Sequence, residues 1–380
     1  MEKTTIKGKE GSAEDRTEDE LSHRHGGLPE KDFDRFSLPV APVVDFSVNL
    51  NPLGFPEEVR RPWPSLIQGI EAYPSLEGRG VTAYFQERLD LPPENILAGN
   101  GSTELIYLAP RALGFRRAAV IAPSYHDYYR ASVLAGAEIM RVALSFEEDF
   151  RPPGKSVLDQ ALRGVDALWL GNPNNPTGTL LTRGFIEDLA LRHPDKWILV
   201  DEAFMPFVES WRRESMALRP LFPNVIVIHS LTKFYGLAGL RLGAATAHRD
   251  VIERLRRAKE PWTVNGVADR IAPLLLGAES YEEETRRLVS GERERILAAL
   301  SEIKGIRPFP SRANFLLYRY EAGPGLDRLL RRLLAEGLYV RDCRNFPGLE
   351  RDFFRAAVKT PAENDRLIRS LADQARGLNA

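Results

Sequence analysis

The 380 residues are 43% hydrophobic and 28% charged, with 52 basic residues against 53 acidic ones and one cysteine, Cys343. Near-zero net charge gives no drive toward nucleic acid or an anionic membrane, and a lone cysteine excludes an intrachain disulfide framework or a multi-cysteine metal site. No apolar run approaches the ~18–20 residues of a membrane-spanning helix, so a soluble, cytoplasmic chain is expected, long enough for two or three domain-sized units and most consistent with an enzyme.

Met1 to Arg24 is dense in charge, lacks the apolar stretch of a signal peptide and reads as a disordered tail. Residues 25–60 are rich in Gly and Pro and end in Asp45-Phe-Ser-Val-Asn-Leu-Asn-Pro-Leu-Gly54, an irregular but ordered segment. Short apolar strands then alternate with helices. Strands are expected at Ile96–Ala98, Ala118–Ile121, Ala167–Leu170, Trp197–Val200 and Val225–Ile228. Helices are expected at Ser102–Ala109, Tyr125–Ala135 and Phe185–Arg192. This alternation implies an α/β fold with a mainly parallel sheet. After Val267 the rhythm changes to long helices, clearest over Glu282–Leu300, with strands at Phe315–Tyr320, Tyr339–Val340 and Phe354–Val358. A large domain over 61–270 and a smaller α+β domain over 271–380 are therefore expected, the segment 25–60 contributing to the smaller one.

Polar residues collect where the strands end, which is where open α/β sheets bind ligands. Gly99-Asn-Gly-Ser-Thr103 joins a strand to a helix: either Ser102 or Thr103 caps that helix, or the glycines let the backbone approach a ligand and the helix start offers its first N–H groups to a phosphate. It is neither a P-loop nor a Rossmann fingerprint. Asn172-Pro-Asn-Asn-Pro-Thr-Gly178 is a rigid block too long for ordinary turn chemistry, and its asparagines offer directed donors and acceptors. Asp201 closes a buried strand, where a carboxylate needs a partner; it either caps a helix or anchors a protonated ring nitrogen or a metal. Ser230-Leu-Thr-Lys-Phe-Tyr-Gly-Leu-Ala-Gly-Leu-Arg-Leu-Gly243 is the decisive block. Desolvation after a buried strand frees the amine of Lys233 for Schiff-base chemistry, and Arg241 supplies a fixed cation for a phosphate.

These motifs, in this order, resemble the fold-type-I pyridoxal-phosphate enzymes of the aminotransferase superfamily, over about Tyr73 to Arg355. The resemblance implies pyridoxal 5′-phosphate as cofactor, with Lys233 as its Schiff-base lysine and later the acid/base at the substrate Cα. Asp201 would pair with the ring nitrogen and Asn175 would bond the ring 3-oxygen. Ser102, Thr103, Ser230 and Arg241 would hold the phosphate, with Gly101 beside them, and Tyr125 would stack on the ring. Tyr73 would reach the phosphate of a second subunit, implying a homodimer with shared sites. Arg355 would clamp the substrate carboxylate. One departure is Phe204, where many relatives carry a tyrosine after Asp-Glu-Ala.

Within that superfamily, His25-Gly-Gly27, the run 45–54, Leu97-Ala-Gly-Asn-Gly101, Asp201-Glu-Ala-Phe204, Pro261-Trp-Thr-Val-Asn265 and Ser311-Arg-Ala-Asn-Phe315 resemble the threonine-phosphate decarboxylases of cobalamin biosynthesis. Phe204 agrees with that branch. The histidinol-phosphate aminotransferases, which share the Asn-Pro block, are the alternative. A decarboxylase would take a phosphorylated amino acid, L-threonine O-3-phosphate, and release CO2. Its substrate phosphate would meet Arg341, His25 and Gly26, with Asn49 nearby. Arg312 and Arg344 are weaker candidates.

Overall fold

The computed structural model describes residues 25–218, 221–322 and 325–376; the tail read over 1–24 lies outside them. In chain order the strands are β1 (Val44–Asp45), β2 (Ile96–Asn100), β3 (Arg117–Ala122), β4 (Glu138–Ala143), β5 (Ala167–Gly171), β6 (Trp197–Asp201), β7 (Val225–Ser230), β8 (Leu242–Ala247), β9 (Ile306–Pro308), β10 (Phe315–Tyr320), β11 (Leu338–Tyr339), β12 (Arg341–Asp342) and β13 (Phe353–Ala357).

Strands that are apolar on both faces belong in the middle of a covered sheet. β5, β6 and β7 accordingly sit near the centre of a seven-stranded sheet of order β2-β8-β7-β6-β5-β3-β4. β8 runs against both of its neighbours, β2 and β7, while the pairs from β7 through β4 are parallel. The period of two along each strand feeds two separate apolar layers. Ile198, Val200, Val225 and Val227 face a layer with Phe204, Phe207 and Phe234. Leu199, Ile226 and Ile228 face one built with Leu105, Ile106 and Ile252.

Two strands of this sheet escaped the sequence pattern. β4, Glu-Ile-Met-Arg-Val-Ala, is an edge strand whose apolar run is broken by Glu138 and Arg141. β8, Leu-Gly-Ala-Ala-Thr-Ala, is dominated by Gly243 and three alanines, which have little β-propensity. Glycine is needed at 243 because a Cβ there would lie 2.6 Å from the Ser102 nitrogen.

The C-terminal part holds a second, antiparallel sheet of order β12-β13-β10-β9 and its own apolar layer around Phe46, Leu316, Tyr318 and Phe354. The N-terminal segment joins it, since β1 pairs in parallel with β11 and Phe33 packs on Leu334 and Tyr339. The single strand expected at Tyr339–Val340 is split: Leu338–Tyr339 serves β1, and Arg341–Asp342 serves β13. The helix Glu279–Ser301 packs Val289 into the large-sheet core and Ile296 and Leu300 into the small one.

Candidate active site

The C-terminal ends of the large sheet's strands open into a cavity of about 460 Å³. β2 turns through Gly101 (φ +74°) directly into the helix Gly101–Leu113, whose first turn presents Ser102 and Thr103 to the cavity. Beside it Arg241, held in the left-handed region at φ +57°, donates from Nη2 to Thr103 Oγ1 at 3.4 Å. A Cβ on Gly101 would come within 2.6 Å of that guanidinium, so glycine is required for the close approach. A helix start with its positive pole, two hydroxyls and a fixed arginine make a binding site for a phosphate.

The block after β5 braces itself. Asn172 exchanges two hydrogen bonds with the backbone of Leu181, at 2.8 and 3.0 Å. Asn174 donates to the Pro123 carbonyl and to Thr177 Oγ1, both at 2.9 Å. Asn175, by contrast, lines the cavity and accepts from Arg355. The peptide bonds before Pro173 and Pro176 are cis.

Asp201 ends β6, 6% exposed. Its Oδ1 accepts from the Ala203 N–H at 2.9 Å and its Oδ2 from the Tyr128 hydroxyl at 2.8 Å. Burial raises its carboxyl above the usual range, while those two donors and the nearby Lys233 pull it back. Ser230 at the end of β7, and Thr232 and Lys233 just past it, line the same floor. Burial and the positive charges of Arg241 and Arg355 bring the Lys233 amine down to about 8, against an opposing pull from Asp201. An amine so placed is a nucleophile near neutral pH. The segment is held from below: Asn51 N–H donates to the Lys233 carbonyl at 3.1 Å, and Asn51 Nδ2 to the Phe234 carbonyl at 2.7 Å.

The opposite wall comes from the two ends of the chain. His25, Gly26, Ser47 and Asn49 face Arg341, Asn345, Phe346 and Arg355. Gly26 packs on Ser47, and the Gly27 N–H donates to Ser47 Oγ at 2.7 Å. Arg341 and Arg355 are directly opposite each other across β12 and β13, and are 9% and 6% exposed. Arg355 Nη2 donates to the Ser47 carbonyl at 2.8 Å, and Arg341 Nη2 to Asn345 Oδ1 at 2.8 Å. Burial brings the Arg355 guanidinium down to about 10.

One cavity therefore gathers the sequence candidates His25, Gly26, Asn49, Ser102, Thr103, Tyr125, Asn175, Asp201, Ser230, Lys233, Arg241, Arg341 and Arg355. Gly101 lies just behind its wall, against Arg241. Tyr73 is elsewhere, 86% exposed, with its ring 5.5 Å from that of Trp262. Arg344 is tied to Asp342 and Asp327, away from the cavity lining. Sequence reasoning missed Tyr128, Asp127 and Phe346, which carry no motif of their own, and passed over Thr232 inside the Ser230–Gly243 block. Phe204 packs edge-on against Phe315 at the lining, ring centroids 5.0 Å apart.

Three buried polar atoms of the lining residues, Asn49 Oδ1, Thr232 Oγ1 and Arg355 Nε, have no hydrogen-bond partner among the described residues. Such atoms call for a polar ligand. A phosphate cradle, a buried carboxylate at a separate strand end and a lysine of lowered pKa together fit pyridoxal 5′-phosphate.

Fold and site define a pyridoxal-phosphate enzyme of the aminotransferase type. The chain belongs to the aminotransferase class I and II family, whose model matches residues 42–371. It is 35% identical over 339 residues to the threonine-phosphate decarboxylase of Salmonella typhimurium, covering 88% of this chain and 92% of that one. Among solved structures, the histidinol-phosphate aminotransferase from Clostridium acetobutylicum superposes with a TM-score of 0.80 at 30% identity, covering 88% of this chain and 99% of that one. The L-threonine-O-3-phosphate decarboxylase from Porphyromonas gingivalis superposes with a TM-score of 0.77 at 25% identity, covering 86% and 98%.

Proposed function

We propose that the protein decarboxylates L-threonine O-3-phosphate to (R)-1-amino-2-propanol O-2-phosphate and CO2, using pyridoxal 5′-phosphate, as a step in cobalamin biosynthesis. The observation that carries this reading is the pair Arg341 and Arg355. Like charges directly opposite on neighbouring strands are destabilising, and both of these are buried beside the cavity. A substrate with two anionic groups repays that cost. Arg355 takes the α-carboxylate and Arg341, with His25, Gly26 and Asn49, the substrate phosphate.

When bound, the cofactor supplies an electron sink for the pair left on Cα as the carboxylate departs. Asp201 would pair with the ring nitrogen, Asn175 with the ring 3-oxygen, and Tyr125 would pack on the ring. Ser102, Thr103, Ser230 and Arg241 would anchor the phosphate. Arg355 and Arg341 fix both ends of the substrate and thereby its rotation about the Cα–N bond, which decides whether a carboxylate or a proton leaves. Lys233 Nζ returns a proton to Cα after CO2 has gone.

The same reading includes a large cofactor domain over 61–270 and a smaller one over 271–380 joined by 25–60, supported by their separate apolar layers. It also includes a cytoplasmic homodimer. Tyr73, Trp262, Ile67, Ile70 and Trp63 are all exposed large apolar side chains. Covering them with a second copy would bring Tyr73 to that copy's phosphate site. No helix among the described residues is long and apolar enough to cross a membrane.

A histidinol-phosphate aminotransferase is the second reading, favoured by the Clostridium acetobutylicum structure. One experiment separates them. With threonine phosphate and no keto acid, the purified protein is expected to release CO2. Absence of CO2, together with glutamate formed from histidinol phosphate and 2-oxoglutarate, would overturn the decarboxylase.

A further inference from the structure

Asp201 is one of several buried carboxylates, but its surroundings are unusual. A carboxylate that must face a ring nitrogen has to present a defined edge, and free rotation about its χ2 would spoil that. Both of its oxygens are fixed, one by the Ala203 N–H and one by the Tyr128 hydroxyl. Tyr128 is itself immobilised. It is 2% exposed, and its ring lies stacked on Trp169 with centroids 5.0 Å apart and planes within 5°. The Trp169 Nε1–H donates to Ser132 Oγ at 3.1 Å, and Ser132 Oγ–H donates to the Tyr128 carbonyl at 2.8 Å. The brace thus closes on itself: Tyr128 stacks on Trp169, Trp169 bonds Ser132, and Ser132 bonds Tyr128. Gly171, at the end of β5, makes room, since a Cβ there would be 3.3 Å from the Tyr128 oxygen.

The geometry points to Tyr128 as a positioning residue that aims the Asp201 carboxylate at the cofactor's ring nitrogen, with Trp169 and Ser132 holding Tyr128 in place. A packing tyrosine needs only its ring. Here the hydroxyl is spent on the carboxylate that a cofactor would meet, and Tyr128 also lines the cavity. By donating, it favours the ionised carboxylate, the form that pairs with a protonated nitrogen.

The inference rests on the pyridoxal-phosphate reading of the site, so the test compares two cofactors. One is pyridoxal 5′-phosphate; the other is its 1-deaza analogue, in which a C–H replaces the ring nitrogen. Tyr128→Phe keeps the stacked ring and removes the hydroxyl. It is expected to weaken the natural cofactor's affinity about tenfold, as for a hydrogen bond to a charged group. Affinity for the deaza analogue should not change, because nothing there depends on the aim of Asp201. Equal losses for both cofactors, or no loss for either, would overturn the proposal and leave Tyr128 a packing residue. Failure of the unaltered protein to bind pyridoxal phosphate would instead overturn the reading of the site. Should Tyr128→Phe not fold, Ser132→Ala carries the same comparison. It loosens the brace while leaving the hydroxyl, and predicts a smaller loss, again confined to the cofactor with nitrogen.

Discussion

The two walls of the cavity are built on different plans. The cofactor-facing wall is made of strand ends from one sheet: Ser102 and Thr103 after β2, Asn175 after β5, Asp201 on β6, and Ser230 and Lys233 from β7 onward. The substrate-facing wall combines the N-terminal segment at 25–49 with β12 and β13, some three hundred residues away in sequence. A sheet held by continuous hydrogen bonds fixes distances well. The second wall joins the N-terminal segment to a separate four-stranded sheet, and can change without disturbing the large one. On the proposed function, the constant part of the chemistry belongs on the first wall and the choice of substrate on the second.

Three substitutions test that division, in order of falling effect. Lys233→Ala, on the first wall, should cost about 10⁴-fold or more in turnover, because it removes both the covalent attachment and the proton donor. It should also abolish the visible absorption of bound cofactor. In the unaltered apo-protein, cofactor capture needs the neutral amine, whose fraction grows as pH rises. The capture rate should therefore climb with pH around a midpoint near 8 and then level off, as stopped-flow absorbance would show. Uptake independent of pH between 6 and 9 would contradict the lowered lysine.

Arg341→Ala, on the second wall, should lower kcat/KM for the phosphorylated substrate about ten- to hundredfold, as for loss of a charge-assisted hydrogen bond. Unphosphorylated threonine should be processed as slowly as before, and cofactor affinity should not move. A matching drop in cofactor affinity would show that the walls are not separate. Gly26→Ala is the mildest. Its Cβ would fall 2.5 Å from the Ser47 carbonyl oxygen, so the turn must shift. An overpacking cost of about 1 kcal/mol, taken from substrate binding, corresponds to roughly a fivefold rise in KM. The value of kcat should stay unchanged in steady-state assays.

The first wall was also the more legible one. Its ligands sit in contiguous blocks after apolar strands, so residue type and position could be read together. The Asn172–Gly178 block was singled out for its density of prolines and asparagines. The structure shows that Asn172 and Asn174 brace the loop, leaving Asn175 to face the cavity. Tyr128 stayed hidden because a tyrosine one turn into a helix after Tyr125 looks like packing; only the hydroxyl's partner reveals more. β8 stayed hidden because Gly243 serves a close approach and the three alanines have little strand propensity. On the second wall Arg341 and Arg355 were matched only by resemblance, and the structure makes the two cross-strand partners. His25 could be placed near them only by resemblance, since β1 and β11 join segments that no local pattern connects.

Cys343, the chain's lone cysteine, lies two residues past Arg341, fully buried among Phe150, Phe309 and Phe353. Burial pushes its thiol up to about 11, and its backbone N–H is bonded to the Phe353 carbonyl at 3.0 Å. A maleimide can react only once the buried thiol is exposed and the thiolate has formed. The protein thus carries a native stopwatch on its substrate wall. The rate at which one equivalent of reagent attaches counts the openings of that wall, with no label introduced, and a substrate bridging Arg341 and Arg355 should slow it.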